Sequence, residues 1–288
     1  MSSSIPVQPG AASVRTVVTT SQRRRLVEVT GFVAVWAVLG HLLRVDSETY
    51  LLMGVPLTVA FQLLIRRRPL RELWVRDAPA FTLDRRGLAL AGALMVTPLH
   101  FGLQALLQGA RWALVCWWLV AAAGAVYAAF ALRSIPFKLM LRSAVVPSAV
   151  GTGALSLGLG GLHIITGSPL DGLAVAGTIL KYLAIYLPVT FVLEEVTFRG
   201  ALDAHAHEPG EPRGRQSALF ISALWGLWHL PVSPSGLPIP LLILFVIVWH
   251  SLIGFFLSMA WRRTGNLAGA GLAHAAIDAV RNALMPGL

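Results

Sequence analysis

Nine apolar stretches divide this chain, and most of them are long enough to cross a hydrocarbon layer as a helix. A layer about 30 Å thick needs roughly 20 apolar residues at about 1.5 Å of rise each. The stretches fall at about 26–43, 49–65, 87–107, 112–132, 143–165, 172–203, 217–230, 239–261 and 266–284. The seventh is short for a full crossing and runs into Leu230-Pro231-Val-Ser-Pro234-Ser-Gly236-Leu-Pro238, where Pro and Gly at this density stop a helix. Stretches this rich in Leu, Ala and Val are unlike the alternating strands of a membrane barrel. Charged residues make up 12% of the chain, against about 25% in soluble domains. The expected fold is all-α, a polytopic transmembrane helical bundle with about 8–9 membrane helices.

The net charge of +10 suggests nucleic acid until the arginines are placed. They fall between apolar stretches, and only in alternate connections. The N-terminal segment holds Arg15 and Arg23 to Arg25, and the second connection holds Arg66, Arg67, Arg68, Arg71, Arg76, Arg85 and Arg86. The fourth holds Arg133, Lys138 and Arg142, the sixth Arg213 and Arg215, and the eighth Arg262 and Arg263. The odd connections offer Arg44 beside Asp46 and Glu48, Arg111 alone, Asp171 alone, and no charge over 231–238. This alternation is the cytoplasmic Lys/Arg bias of a membrane protein. It predicts a cytoplasmic N-terminus and nine crossings, in the plasma membrane if the source is bacterial, and it argues against a nucleic-acid partner.

Cys116 is the only cysteine, so neither an intramolecular disulfide nor a thiolate zinc site can form. Residues 1–25 are polar, lack the apolar core of a signal peptide, and read as a disordered cytoplasmic tail. Residues 1–140 carry no buried acid, and the helices of 26–142 read as scaffold. Residues 170–285, within a C-terminal region of 143–288, hold the polar intramembrane groups.

Those groups carry the functional signal. Glu194 and Glu195 follow the apolar run 183–193, with Arg199 one helical turn beyond Glu195. A bare carboxylate costs roughly 2.5–3.5 kcal/mol at the centre of a membrane helix, so an unpartnered one marks a functional site. Glu195 and Arg199 have the spacing of a helical ion pair, which by itself would only help the helix through the membrane; Glu194 is left over. His229 and His274 interrupt two later stretches, and Asp278 shares a helical face with His274. Measured from the basic helix ends, Glu194, His229 and His274 lie roughly 16, 21 and 16 Å deep. Three polar residues on three helices thus reach one level. A spare carboxylate and two imidazoles at that depth suit a hydrolytic site, the glutamate accepting a proton from water.

The pattern resembles a known family. Glu194-Glu195-Val-Thr-Phe-Arg199 resembles the Glu-Glu-x-x-x-Arg motif of the CAAX protease and bacteriocin-processing (CPBP, or Abi) intramembrane proteases, which include the type II CAAX prenyl endopeptidases. Trp225-Gly-Leu-Trp-His229 is similar to their Phe-x-x-x-His motif, with Trp for Phe. His274-Ala-Ala-Ile-Asp278 is similar to their His-x-x-x-Asn motif, with Asp for Asn, and Trp261-Arg-Arg-Thr-Gly-Asn266 resembles its lead-in. The resemblance covers about 172–284. It implies an endopeptidase acting on a membrane-anchored peptide or protein, with Glu194 as general base and His229 positioning the water. His274 and the side chain at 278 would serve the oxyanion, and Glu195 and Arg199 would support them.

Asp278 departs from that scheme, because an ionised carboxylate accepts hydrogen bonds and cannot donate them. It is protonated, or it orients His274, or the activity is lost. No cofactor is favoured, but Glu194, His229, His274 and Asp278 would also make a nitrogen and oxygen set for zinc. Phe198, Trp225 and Trp228 read as packing residues and as candidates for the lining of a substrate groove. His41, His100, His163 and His250 read as structural, and His205 and His207 as part of a solvated loop near Glu208 and Glu211. The aromatic run Arg111-Trp-Ala-Leu-Val-Cys-Trp-Trp118 reads as an interfacial anchor. Two other functions fit the composition. One is a catalytically impaired protein of the same fold, acting as immunity factor or binding partner. The other is a proton-coupled transporter, although no repeat of interrupted helices supports it. If the chain is a bacterial protease, its substrate differs from a prenylated one; bacteriocin maturation and regulatory-peptide processing are among the options.

Overall fold

Each apolar stretch of the sequence becomes a helix in the computed structural model, which describes residues 11–207, 214–233 and 237–285. The elements are α1 (Ala11–Leu43), α2 (Ser47–Ala60, extended by a π-helical turn, Phe61–Ile65), α3 (Arg85–Leu107), α4 (Trp112–Arg133) and α5 (Phe137–Thr166). They continue with α6 (Gly172–Thr190), a π-helical segment (Val196–Asp203), α7 (Ala204–Ala206), α8 (Gly214–Trp228), α9 (Ile239–Thr264) and α10 (Ala268–Leu284). Among the described residues there is no strand, only one isolated backbone bridge between Val75 and Asn266. Among the described residues seven helices are long and apolar enough to cross a membrane, and the protein is an integral, multi-pass membrane protein. The 15-residue α8 and the 17-residue α10 are too short to span alone, at about 23 and 26 Å. Both are largely enclosed by the longer helices, and they carry His229 (at the end of α8) and His274.

Polar contacts sort the connections into two ends. At one end Arg262 forms a two-pronged pair with Asp203, 2.5 and 2.8 Å, and also donates to the Gly214 carbonyl. The same end holds Arg66 on the Gly200 carbonyl, Arg133 on Asp84, and His205 on Glu28. At the other end Arg111 reaches Asp46 and Glu48, and His163 donates from Nε2 to the Leu284 carbonyl. The arginine-rich connections therefore gather at one end and the charge-poor ones at the other, as an up-and-down path requires.

Four details differ from the sequence reading. The first helix begins at Ala11, so residues 11–25 are helical, while 1–10 lie outside the described residues. The connection 66–86 folds back into the bundle. Trp74 and Leu73 are buried, and Trp74 stacks on Tyr127 at 3.9 Å. The backbone of Arg76 donates to Gly265 and that of Leu267 to Trp74. Glu72, in this connection, is buried as well, with Arg68 at 4.0 Å; residues 1–140 thus do contain a buried acid. His205, expected in a solvated loop, is mostly buried and bonds Glu28 at 2.7 Å; Glu208 and Glu211 lie outside the described residues.

The fourth difference shapes the site. The stretch expected as one helix over 172–203 breaks at 191–193 and resumes as the π-helical segment. Pro188 has no backbone N–H to donate to the preceding turn, which weakens the ladder just before the break. The indole N–H of Trp74 takes up the released Phe191 carbonyl at 2.6 Å. Single π-helical turns inside membrane or soluble helices often mark functional positions, and here Glu194 and Glu195 occupy the junction.

Candidate active site

Successive helical residues point about 100° apart, so the two glutamates face different surroundings from one position in the chain. Glu195 turns into the bundle, where its side chain has no exposure. Its Oε1 accepts from Nδ1 of His274 at 2.8 Å and lies 3.1 Å from Nη1 of Arg199. Arg199 is equally buried. It donates through Nη2 to the Gly254 carbonyl at 3.3 Å, and its guanidinium lies over the Trp225 ring, 4.4 Å from the centroid. A cation over an indole face is stabilised electrostatically as well as by contact.

Glu194 turns instead toward a cavity of about 40 Å³. Its Oε2 accepts from the Trp225 indole N–H at 2.8 Å and lies 3.6 Å from Nε2 of His229. Nδ1 of His229 is 2.8 Å from the Trp225 carbonyl one turn back. A carbonyl only accepts, so that nitrogen carries the proton and Nε2 presents its lone pair to Glu194. Two acceptors 3.6 Å apart cannot bond directly; a water between them can donate to both. The cavity has room for one or two waters, since a single one needs only about 10–15 Å³.

His274 stands across the same cavity on α10. With Nδ1 held by Glu195, its Nε2 faces Asp278 Oδ2 at 3.5 Å, and Asp278 Oδ1 lies 3.2 Å from Nη1 of Arg281. Residues 274, 278 and 281 lie at i, i+4 and i+7 and so line one helical face. Close approach of the carrying helices depends on Gly226: a Cβ there would run into the Val246 carbonyl of α9.

The structure thus brings Glu194, His229, His274 and Asp278 to one cavity, with Glu195 and Arg199 buried directly behind it. Trp225 forms part of the wall. Phe198 and Trp228 do not; both are fully buried, and Trp228 packs between Trp36 and Tyr50, whose hydroxyl donates to the Trp228 carbonyl. Two wall residues escaped the sequence reading. His250, expected to be structural, stacks on His229 at 4.0 Å between ring centroids and lines the cavity. The depth arithmetic applied to His229 and His274 would have found it, at roughly 18 Å from Arg262. Arg281 lines the cavity too, and its spacing from His274 and Asp278 was the available signal.

Beside this cavity a larger one, about 640 Å³, runs between α5 and α9. Leu155, Leu159, Phe245 and Trp249 make it mainly apolar, and His229 and His250 border it. Several apolar side chains near it, including Leu241, Leu244 and Phe245, are exposed on the bundle surface. As to metal, among the described residues no three His, Cys, Asp or Glu side chains converge as zinc ligands would.

Residues 176–280 match a family model described as Type II CAAX prenyl endopeptidase Rce1-like. The matched range contains every residue named above in the glutamate and histidine motifs. No curated protein and no solved structure matches the chain. Over residues 176–280 the match supports the resemblance to CAAX-type membrane proteases read from the three motifs.

Proposed function

We propose that the protein is an intramembrane endopeptidase that hydrolyses a peptide bond of a membrane-anchored peptide or protein, with water activated by Glu194. The observation that carries this reading is the pair of acceptors, Glu194 Oε2 and His229 Nε2, 3.6 Å apart on the wall of a water-sized cavity. A water donating to both has its remaining lone pairs directed at a carbonyl placed in the cavity. As its oxygen bonds to the carbonyl carbon, its proton passes to Glu194, and the carbonyl oxygen becomes an oxyanion. His274 acts as an imidazolium between the Glu195 and Asp278 carboxylates, giving Nδ1–H to Glu195 and presenting Nε2–H to that oxygen. A donor fixed before charge develops is worth far more here than in water. Collapse breaks the C–N bond, the proton on Glu194 passes to the leaving nitrogen, and an acid and an amine are released.

The remaining features fit the same reading. The apolar cavity between α5 and α9 suits the lipid-embedded part of a substrate, and the arginine-rich end faces the cytoplasm by the charge bias. Glu195 and Arg199 position His274.

The test is cleavage of a membrane-anchored peptide library by the purified protein in liposomes, comparing wild type with Glu194→Ala, each with and without chelator. We expect cleavage by the wild type that resists chelator and is lost in the variant. Loss with chelator would replace the glutamate–water mechanism by a metal-assisted one. Cleavage that survives Glu194→Ala would overturn the role of Glu194.

A further inference from the structure

The cavity wall poses a supply problem for the oxyanion, because almost every donor on it is already committed. The Trp225 N–H is given to Glu194, and the Nδ1 protons of His229 and His250 to backbone carbonyls at 2.8 and 2.7 Å. Nδ1 of His274 is given to Glu195. Arg199 lies behind the Trp225 ring, bound to Glu195 and Gly254. Asp278, as a carboxylate, brings no donor at all. Of the described side chains on this wall, His274 Nε2, the Trp249 indole N–H and the Arg281 guanidinium remain, and only His274 and Arg281 can bring positive charge to an oxyanion. A guanidinium carries five N–H groups in a fixed plane. That of Arg281 meets Asp278 through Nη1 at 3.2 Å, and it borders three cavities at once: the catalytic one, the apolar one beside α9, and a third at Glu48 and Tyr186.

We propose that Arg281 is a catalytic residue that donates to the tetrahedral oxyanion together with His274 Nε2, and that Asp278 is a positioning residue that holds both donors. This rests on the endopeptidase reading and deepens it. Asp278 is suited to the task because its two oxygens face opposite partners, Oδ2 toward His274 and Oδ1 toward Arg281. The three residues share one face of α10, so one rigid helix fixes the donor pair. The guanidinium keeps its protons throughout; it stabilises the developing charge and transfers nothing. The 3.5 Å between His274 Nε2 and Asp278 leaves that N–H weakly held and free to turn to the stronger oxyanion acceptor.

The experiment is a double-mutant cycle on the full chain in liposomes, reading kcat and KM separately for wild type, Arg281→Ala, Arg281→Lys, Asp278→Asn and the double variant Asp278→Asn/Arg281→Ala. Removing one oxyanion donor costs about 10²–10³-fold in kcat, and we expect that loss in Arg281→Ala with KM changed by less than about threefold, Arg281→Lys falling between. An amide at 278 donates from the same place, so in the Asp278→Asn background the same Arg281→Ala change is expected to cost less than about tenfold. Equal losses in both backgrounds would make Arg281 merely structural and overturn the proposal, and an inactive misfolded variant would show that pattern. A rise in KM with kcat intact would make it a clamp for an anionic group of the substrate, again overturning it. Glu194→Gln run alongside separates the two levels. Wild-type cleavage that vanishes in Glu194→Gln but not in Arg281→Ala defeats this inference alone. Cleavage that persists in Glu194→Gln overturns the role of Glu194, and cleavage absent in the wild type defeats the endopeptidase reading and this inference with it.

Discussion

Glu194 and Glu195 are chemically identical and adjacent in the chain, yet they are built into opposite kinds of surroundings. Glu195 is closed off and held by charge: Arg199 on one side, His274 on the other, and no exposure. Glu194 is one-fifth exposed, holds a single neutral hydrogen bond from Trp225, and looks across open space at an imidazole acceptor. A buried ion pair is costly to assemble and costlier to break, so the Glu195 side is suited to fixing geometry. A carboxylate with unfilled acceptor capacity at a cavity is suited to exchanging a proton. One helical junction separates the two, and the same Trp225 serves both, its face to Arg199 and its edge to Glu194.

The contrast breaks most sharply in two substitutions. Glu194→Gln keeps the shape and removes the base. Kcat for peptide cleavage should fall by about 10²–10⁴-fold, with the unfolding midpoint in detergent essentially unmoved. Glu195→Ala should do the reverse in kind. It strands the Arg199 guanidinium among apolar neighbours, and removing one partner of a buried pair costs about 3–5 kcal/mol. Thermal unfolding should shift down accordingly, or the protein should fail to accumulate in the membrane. If Glu195→Ala left stability unchanged, the division of labour between the two glutamates would be wrong.

Much of this division was legible before any coordinates, and the limits were physical. Apolar length gave most helix bounds to within a few residues, though not over 172–203, which breaks at 191–193, nor at α1. There the apolar stretch ends near residue 26, while backbone hydrogen bonding continues through the polar residues to Ala11. Depth along each helix brought Glu194, His229 and His274 to one level, because rise per residue is nearly constant. Helix rotation is harder to read. The expected ion pair of Glu195 with Arg199 is present, but the bond of Glu195 to His274, 79 residues away, follows from packing between helices and leaves no trace in spacing. The break after Pro188 was hidden because proline is common in membrane helices without ending them. The inward fold of 66–86 was hidden because its arginines read as solvated, whereas Trp74 reaches the carbonyl freed by that break.

Backbone spacing offers a third, smaller way to disturb only the open side. Gly226 lies against the Val246 carbonyl, which cannot swing away as a flexible side chain could. Gly226→Ala should push α8 from α9 at an overpacking cost of about 1–3 kcal/mol. It should also separate His229 from His250, now stacked at 4.0 Å. Activity should drop more than stability, since Glu195, Arg199 and His274 lie on other elements. A circular-dichroism melt paired with cleavage kinetics would check it; an unchanged kcat would mean that the His229 to Glu194 spacing tolerates movement.

The finest test acts on the one residue that the two sides share. Trp225→Phe retains an aromatic face for Arg199 and removes the indole N–H that orients Glu194. The Glu195 side should not register the change, because a benzene ring still attracts a cation, though less strongly than indole. The Glu194 side loses its only hydrogen bond from a side chain among the described residues, and the carboxylate is then free to rotate away from His229. Bonds to a charged acceptor contribute about 1.5–3 kcal/mol, part of which water in the cavity restores. A loss of about tenfold in kcat, or about 1.4 kcal/mol on the barrier, is therefore expected, with the melting transition nearly unchanged. A melt that fell as far as that of Glu195→Ala would show that the indole serves the buried charge cluster first, and that the two glutamates are less independent than their surroundings suggest.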